Sequence, residues 1–84
     1  MHEIYLERAA CDDIKRLPKG IADQVIAKIR SLSAEPRPAG CRKLKGSRSD
    51  WRLRVGDYRI LYEIDDVSNR INVMRVKQRR EAYR

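Results

Sequence analysis

Arg52, Arg54 and Arg59 occur at a spacing that places all three on one surface. The stretch from Ser49 to Tyr62 reads SDWRLRVGDYRILY. Trp51, Leu53 and Val55 alternate with Arg52 and Arg54 before Gly56-Asp57, and Tyr58, Ile60 and Tyr62 alternate with Arg59 and Leu61 after it. A period of 2 on both sides of a two-residue turn predicts a β-hairpin. Val55 then faces Tyr58, Arg54 faces Arg59, Leu53 faces Ile60, and Arg52 faces Leu61. One face gathers the aromatic and aliphatic residues as a core face, and the other holds the three arginines. Like charges set opposite one another cost a few tenths to about 1 kcal/mol, with Asp57 and Glu63 as the neutralisers at hand. An external anion would relieve that repulsion. A guanidinium stays charged and its planar fork matches phosphate oxygens, so a phosphate backbone is the natural candidate. The hairpin alone leaves a second reading open, a basic face solvated by water.

The formal charge is 20 − 12 = +8, and its placement is uneven. Residues 1–35 hold six basic and six acidic groups, so the whole surplus lies in residues 36–84 with the hairpin. That distribution is the footprint of a nucleic-acid binder, and an acidic protein partner would fit it as well. With 84 residues and 9.9 kDa there is room for a single domain spanning 1–84, burying roughly 60–65% of the surface its unfolded chain exposes. At 42% hydrophobic and 38% charged residues the chain suits a small folded domain rather than a disordered one. It has no apolar run near the ~18 residues a membrane span needs. The start, MHEIYLERAA, lacks the layout of a signal peptide. The expectation is a cytoplasmic protein with no membrane partner, and with Cys11 and Cys41 reduced rather than bridged. His2 is the single histidine and lies at the terminus, which argues against a Cys/His metal site or a histidine-based catalytic pair. No metal or cofactor is expected.

The elements that must position the arginines follow from the remaining pattern. His2 to Tyr5 is a short candidate strand, with Ile4 and Leu6 available for burial. Leu6, Ala10, Ile14 and Leu17 recur at helical spacing over Glu7–Leu17, and Pro18-Lys19-Gly20 interrupts them. Ile21, Val25, Ile29 and Leu32, widened by Ile26, predict a second helix over Ile21–Leu32. Two amphipathic helices with a short break form an antiparallel hairpin whose apolar side must be buried on the sheet. Both read as scaffold. Ala34–Gly40, with Pro36, Pro38 and Gly40, is a loop, and CRKLKGSRS after it supplies Arg42, Lys43, Lys45 and Arg48 around a brief strand with Leu44 inward. Asp65–Arg70 is a polar turn, and Ile71–Lys77 a further antiparallel strand. Counting back from that turn puts Lys77 opposite Tyr58 and Arg59. Gln78–Arg80 then emerge beside Gly56-Asp57, and Arg79 or Arg80, with Tyr83 one turn on, reach the basic face. This convergence of separated segments favours an anion site over a passive basic face.

The pieces LKGSRSDWRLRVGDYRILYEI, INVMRV and QRREAYR, in that order after a helical hairpin, resemble the RelE/ParE toxin family of bacterial toxin-antitoxin systems. The resemblance covers nearly the whole chain and implies an α+β fold of the RelE-like microbial ribonuclease type. In it an N-terminal helical hairpin packs on a twisted, mainly antiparallel sheet of about four strands. It further implies a ribosome-dependent endoribonuclease that cuts messenger RNA in the A site without metal, by attack of a ribose 2′-oxygen on the adjacent phosphate. Carried over by position, Arg59 and Arg79 would grip the scissile phosphate and Tyr83 would stack on or orient the nucleotide. Arg52 and Arg54 would fall where RelE-type enzymes carry basic residues, often lysines. Lys43, Lys45, Arg48, Lys77 and Arg80 would contact the RNA. Gln78 stands where many relatives place a histidine. The implied partners are ribosome, messenger RNA and a cognate antitoxin. A ParE-like toxin, which inhibits DNA gyrase by binding protein, is the alternative within the same fold. Trp51 alternates with Leu53 and belongs to the core rather than to a base-stacking platform. Tyr83 is open between stacking on RNA and closing over the core.

Overall fold

The computed structural model describes residues 1–44, 46 and 50–78. The order of elements is β1 (Glu3–Leu6), α1 (Arg8–Lys15), α2 (Lys19–Ser31), β2 (Arg42–Lys43), β3 (Asp50–Val55), β4 (Tyr58–Asp65) and β5 (Arg70–Gln78). One sheet carries all five strands in the order β1-β5-β4-β3-β2. β1 runs parallel to β5 and the other pairs are antiparallel. The fold is α+β, with two helices on one face of a mostly antiparallel sheet, five-stranded once the two-residue β2 is counted.

β3 and β4 pair in the register that alternation and turn length require: Val55 with Tyr58, Arg54 with Arg59, Leu53 with Ile60, and Arg52 with Leu61. Gly56 alone in the turn takes a positive φ, +58°, the pattern of a type II′ turn, which suits the twist of a hairpin. The β4–β5 turn is closed by Asp65, whose carboxylate accepts from the Val67 and Ser68 backbone N–H groups at 3.0 and 3.2 Å and from the Ser68 hydroxyl at 2.7 Å.

The core lies between the helices and one face of the sheet. It is built from Ala10 of α1, Val25, Ile29 and Leu32 at the α2 side, and Leu53, Val55, Ile60, Tyr62, Ile64, Ile71, Val73 and Val76 of the strands. Tyr62 is fully buried, and its hydroxyl donates to the Pro36 carbonyl at 2.9 Å, tying the proline loop to the sheet. Burial first, then the neighbouring Cys41, holds the Tyr62 hydroxyl well above the ordinary tyrosine pKa, so it remains a donor. Trp51 packs half-buried against this core with the Arg37 guanidinium 5.2 Å from its ring centroid.

Three helical expectations need correction. The break is Arg16–Pro18 instead: α1 ends at Lys15, Pro18 precedes α2 in an extended conformation, and its carbonyl already accepts from Ala22 N–H at 2.9 Å, so Lys19 and Gly20 form the first turn of α2. Leu6 and Ile26 stay substantially exposed, since β1 sits at the sheet edge and α2 has only one side against it. The residue buried on α1 besides Ala10 is Asp13. β1 covers β5 only from Arg70 to Val73. Beyond it, Asp13 accepts from Val76 N–H at 2.9 Å and from Arg75 at 2.8 and 3.1 Å. One carboxylate thus replaces the missing strand partner and blunts a sheet edge.

Candidate functional site

Paired residues share a face of the sheet, so the strand register maps the surface turned away from the helices. Arg54, Arg59 and Lys77 form one rung across β3, β4 and β5, and Arg42, Arg52, Leu61 and Arg75 form the next, reaching β2. Six basic side chains therefore surround Leu61. Arg59 is the most enclosed, at 7% exposure, while Arg54 is exposed and Arg52 half-buried. A cation at low exposure between two other cations attracts an incoming anion more strongly than one in water, because the local dielectric is lower and its donors are already in place.

The third strand joins this face through a bulge. The register slips between Leu61 and Tyr62 of β4, where Leu61 pairs with Arg75 and Tyr62 with Val73, leaving Met74 as the extra residue of β5. Without the slip, Arg75 and Lys77 would point toward the helices. The adjacent apolar pair Val73-Met74, which breaks the alternation of INVMRVK, is the sequence signal for it. Arg75 is held by Asp13. Burial would raise the Asp13 pKa, but the hydrogen bonds from Arg75 and Val76 and the attraction of Arg75 and Lys77 outweigh it and hold the carboxyl below its usual range.

Arg52, Arg54, Arg59 and Lys77 are brought together as the sequence leads one to expect. Lys43 pairs with Trp51 and so stands on the opposite face from Arg52, whereas its neighbour Arg42 shares the arginine rung. Lys45, Arg48, Arg79, Arg80 and Tyr83 lie outside the described residues. A recess of about 370 Å3 opens beside the β3 edge. Arg52, Arg54 and Arg59 line it with Arg42 and, from the helical layer, Lys28. Sequence reasoning assigned α2 to scaffold only, and nothing in the helical periodicity marks Lys28 apart from any other exposed lysine.

Farther along the same face the charge reverses. Asp50, Glu63 and Asn72 share a rung, and Asp65, Arg70 and Glu3 the next. Tyr5 donates to Glu3 at 2.7 Å, the Arg70 guanidinium lies 4.9 Å from the Tyr5 ring centroid, and Asn72 donates to Glu7. The hydrogen bond to Glu3, and then its negative charge, raise the Tyr5 pKa.

A family described as ParE toxin of type II toxin-antitoxin system, parDE, matches residues 4–83. The chain is 30% identical over 88 residues to Toxin RelE of Mycobacterium tuberculosis, an alignment covering 99% of this chain and 87% of that protein. It is 33% identical over 73 residues to Toxin RelG of the same organism, covering 86% and 84%. Among solved structures, a chain of the toxin-antitoxin complex RelBE2 from M. tuberculosis superposes with a TM-score of 0.81 at 29% identity, over 93% of this chain and 98% of that one.

Proposed function

The chain belongs to the RelE/ParE family of toxins of type II toxin-antitoxin systems, and on that premise we propose that it is a RelE-type endoribonuclease cutting messenger RNA in the ribosomal A site. The observation that carries this reading is Arg59, buried on the central strand with Arg54 and Lys77 directly opposite on either side. In the proposed reaction a ribose 2′-oxygen attacks the adjacent phosphorus. The new P–O bond closes a 2′,3′-cyclic phosphate as the bond to the 5′-oxygen breaks. The 2′-hydroxyl loses a proton and the departing 5′-oxygen gains one. Negative charge gathers on the phosphoryl oxygens in the transition state, where each preorganised guanidinium stabilises it by a few kcal/mol. Arginine stays protonated and so transfers protons poorly at neutral pH. Orienting the 2′-oxygen in line is therefore left to the ribosome, and positioning of that kind is worth many orders of magnitude. Arg79 and Tyr83 complete the site by family resemblance.

The toxin acts where ribosomes are, in the cytoplasm, and is restrained by a cognate antitoxin whose acidic segment covers the arginine face. The toxin-antitoxin complexes among its structural relatives support that partner. The test is primer extension on a defined messenger RNA with and without translating ribosomes, alongside Arg59→Ala. New ends within codons, with ribosomes and with the unmutated protein only, are expected. Intact RNA from a protein still toxic to cells would favour the ParE-like alternative, inhibition of DNA gyrase, to be checked by DNA supercoiling.

A further inference from the structure

The recess at the β3 edge holds more positive charge than one scissile phosphate can use. Arg42, Arg52, Arg54, Arg59 and Lys28 line it, and among the described lining residues there is no Asp or Glu. Four guanidiniums and an ammonium from two layers of the fold converge on it. A phosphodiester carries a single negative charge. The cations are also spread out: β4 and β2 lie two strand spacings apart, roughly 10 Å, and Lys28 comes from the helix layer.

The fold makes this spread possible. β2 pairs with β3 only at Arg52 and Trp51, so among the described residues no strand covers the outer edge of Leu53–Val55. α2 overhangs that edge. Lys28 lines both the basic recess and a neighbouring hollow formed with Gln24, Ala27, Ser31 and Val55, so it stands on the rim between them. Ala39 and Gly40 complete the wall without a long side chain, and a Cβ added at Gly40 would meet nothing within 4 Å.

We propose that the recess is a track for consecutive phosphates of single-stranded RNA, in which Lys28 and Arg42 hold a phosphate neighbouring the one addressed by Arg59. The track takes the identity of its polyanion from the endoribonuclease reading and is otherwise independent of any cleavage. α2 is then part of the binding surface as well as of the scaffold, and Lys28 sets the direction in which the strand leaves the arginine face.

The test uses the full chain and 2′-O-methyl oligoribonucleotides, which lack the attacking hydroxyl, with either one or four phosphodiester linkages. Affinity is followed by fluorescence anisotropy between 50 and 200 mM salt. For single strands each phosphate contact contributes about 0.7 to the slope of log affinity against log salt. Lys28→Ala should flatten the slope for the four-linkage probe by that amount, so that its loss of affinity over this range is about 2.6-fold smaller than for the unmutated protein. The one-linkage probe should bind both proteins alike, Lys28→Arg should restore the slope, and Lys15→Ala on α1 should leave it unaltered. An unaltered slope in Lys28→Ala would sink the track. Equal weakening of both probes would too, since Lys28 would then share the phosphate of Arg59. If polyglutamate bound with the Lys28 dependence that RNA lacked, the recess would be a protein-docking site instead. A Lys28-dependent slope without ribosome-dependent cleavage would leave the track standing and remove the endoribonuclease reading.

Discussion

The outward face of the sheet has two halves divided near Leu61, and they solve opposite electrostatic problems. In the acidic half the charges are interleaved with partners: Tyr5 on Glu3, Arg70 against the Tyr5 ring, Asn72 on Glu7, and Asp65 closing its own turn. In the basic half the residue across each strand from Arg59 is another cation. Both halves set like charges across a strand, Asp50 opposite Glu63 in one and Arg59 opposite Arg54 and Lys77 in the other, but only in the basic half is the central charge, Arg59, buried. A buried cation flanked by cations favours an anion that arrives from outside.

The strongest way to break this contrast is Arg59→Ala. Removing a preorganised donor from the centre of the basic half should reduce single-turnover cleavage on ribosomes by about 100- to 1,000-fold, or ~3–4 kcal/mol of transition-state stabilisation. A loss below tenfold would mean that Arg59 only binds.

Asp13→Asn should have the next largest effect, on stability rather than on chemistry. It leaves Arg75 and Val76 N–H without their carboxylate, at a cost of about 2–3 kcal/mol in urea unfolding at neutral pH. The folded pKa of Asp13 is lowered from an unfolded value of about 3.9. The stabilisation is therefore complete above that value and disappears as pH falls through the lowered one. The gap between variant and parent should accordingly close below about pH 4, and a gap that persisted there would assign the effect to packing.

Arg54→Ala removes an exposed member of the Arg59 rung and should cost about tenfold in cleavage, ~1.4 kcal/mol, falling as salt is raised. Glu63→Gln, in the acidic half, should change cleavage less than about twofold, because an exposed or half-buried charge is worth little at that distance through solvent. If Glu63→Gln matched Arg54→Ala in size, the two halves would not be functionally distinct.

Much of the arginine face was legible without coordinates. The hairpin register follows from side-chain alternation and the length of the turn, both local properties, and counting back along β5 brings its Lys77 end level with Tyr58 and Arg59, though without saying which face Lys77 takes. The burial of Arg59 was not legible, nor were the inward Asp13 and the outward Leu6 and Ile26. Each depends on which element lies across from it. A helical stripe at Leu6, Ala10 and Ile14 names a face, but only the end of β1 at Leu6 left a bare edge on β5 for Asp13 to fill. Lys43 and Arg42 show the limit at its sharpest: adjacent in a run of positive charge, they point to opposite faces once β2 pairs with β3.

The family, the two helices, the hairpin and the three arginines on one side of it can be read from neighbouring residues, because period, turn chemistry and motif are local. The tertiary structure decided the rest of the site. The slip at Met74 turned Arg75 and Lys77 outward, the short β2 left the β3 edge open, and the overhang of α2 carried Lys28 to that edge. These outcomes depend on how segments distant along the chain pack into layers, and burial and register across strands are settled only when those layers meet.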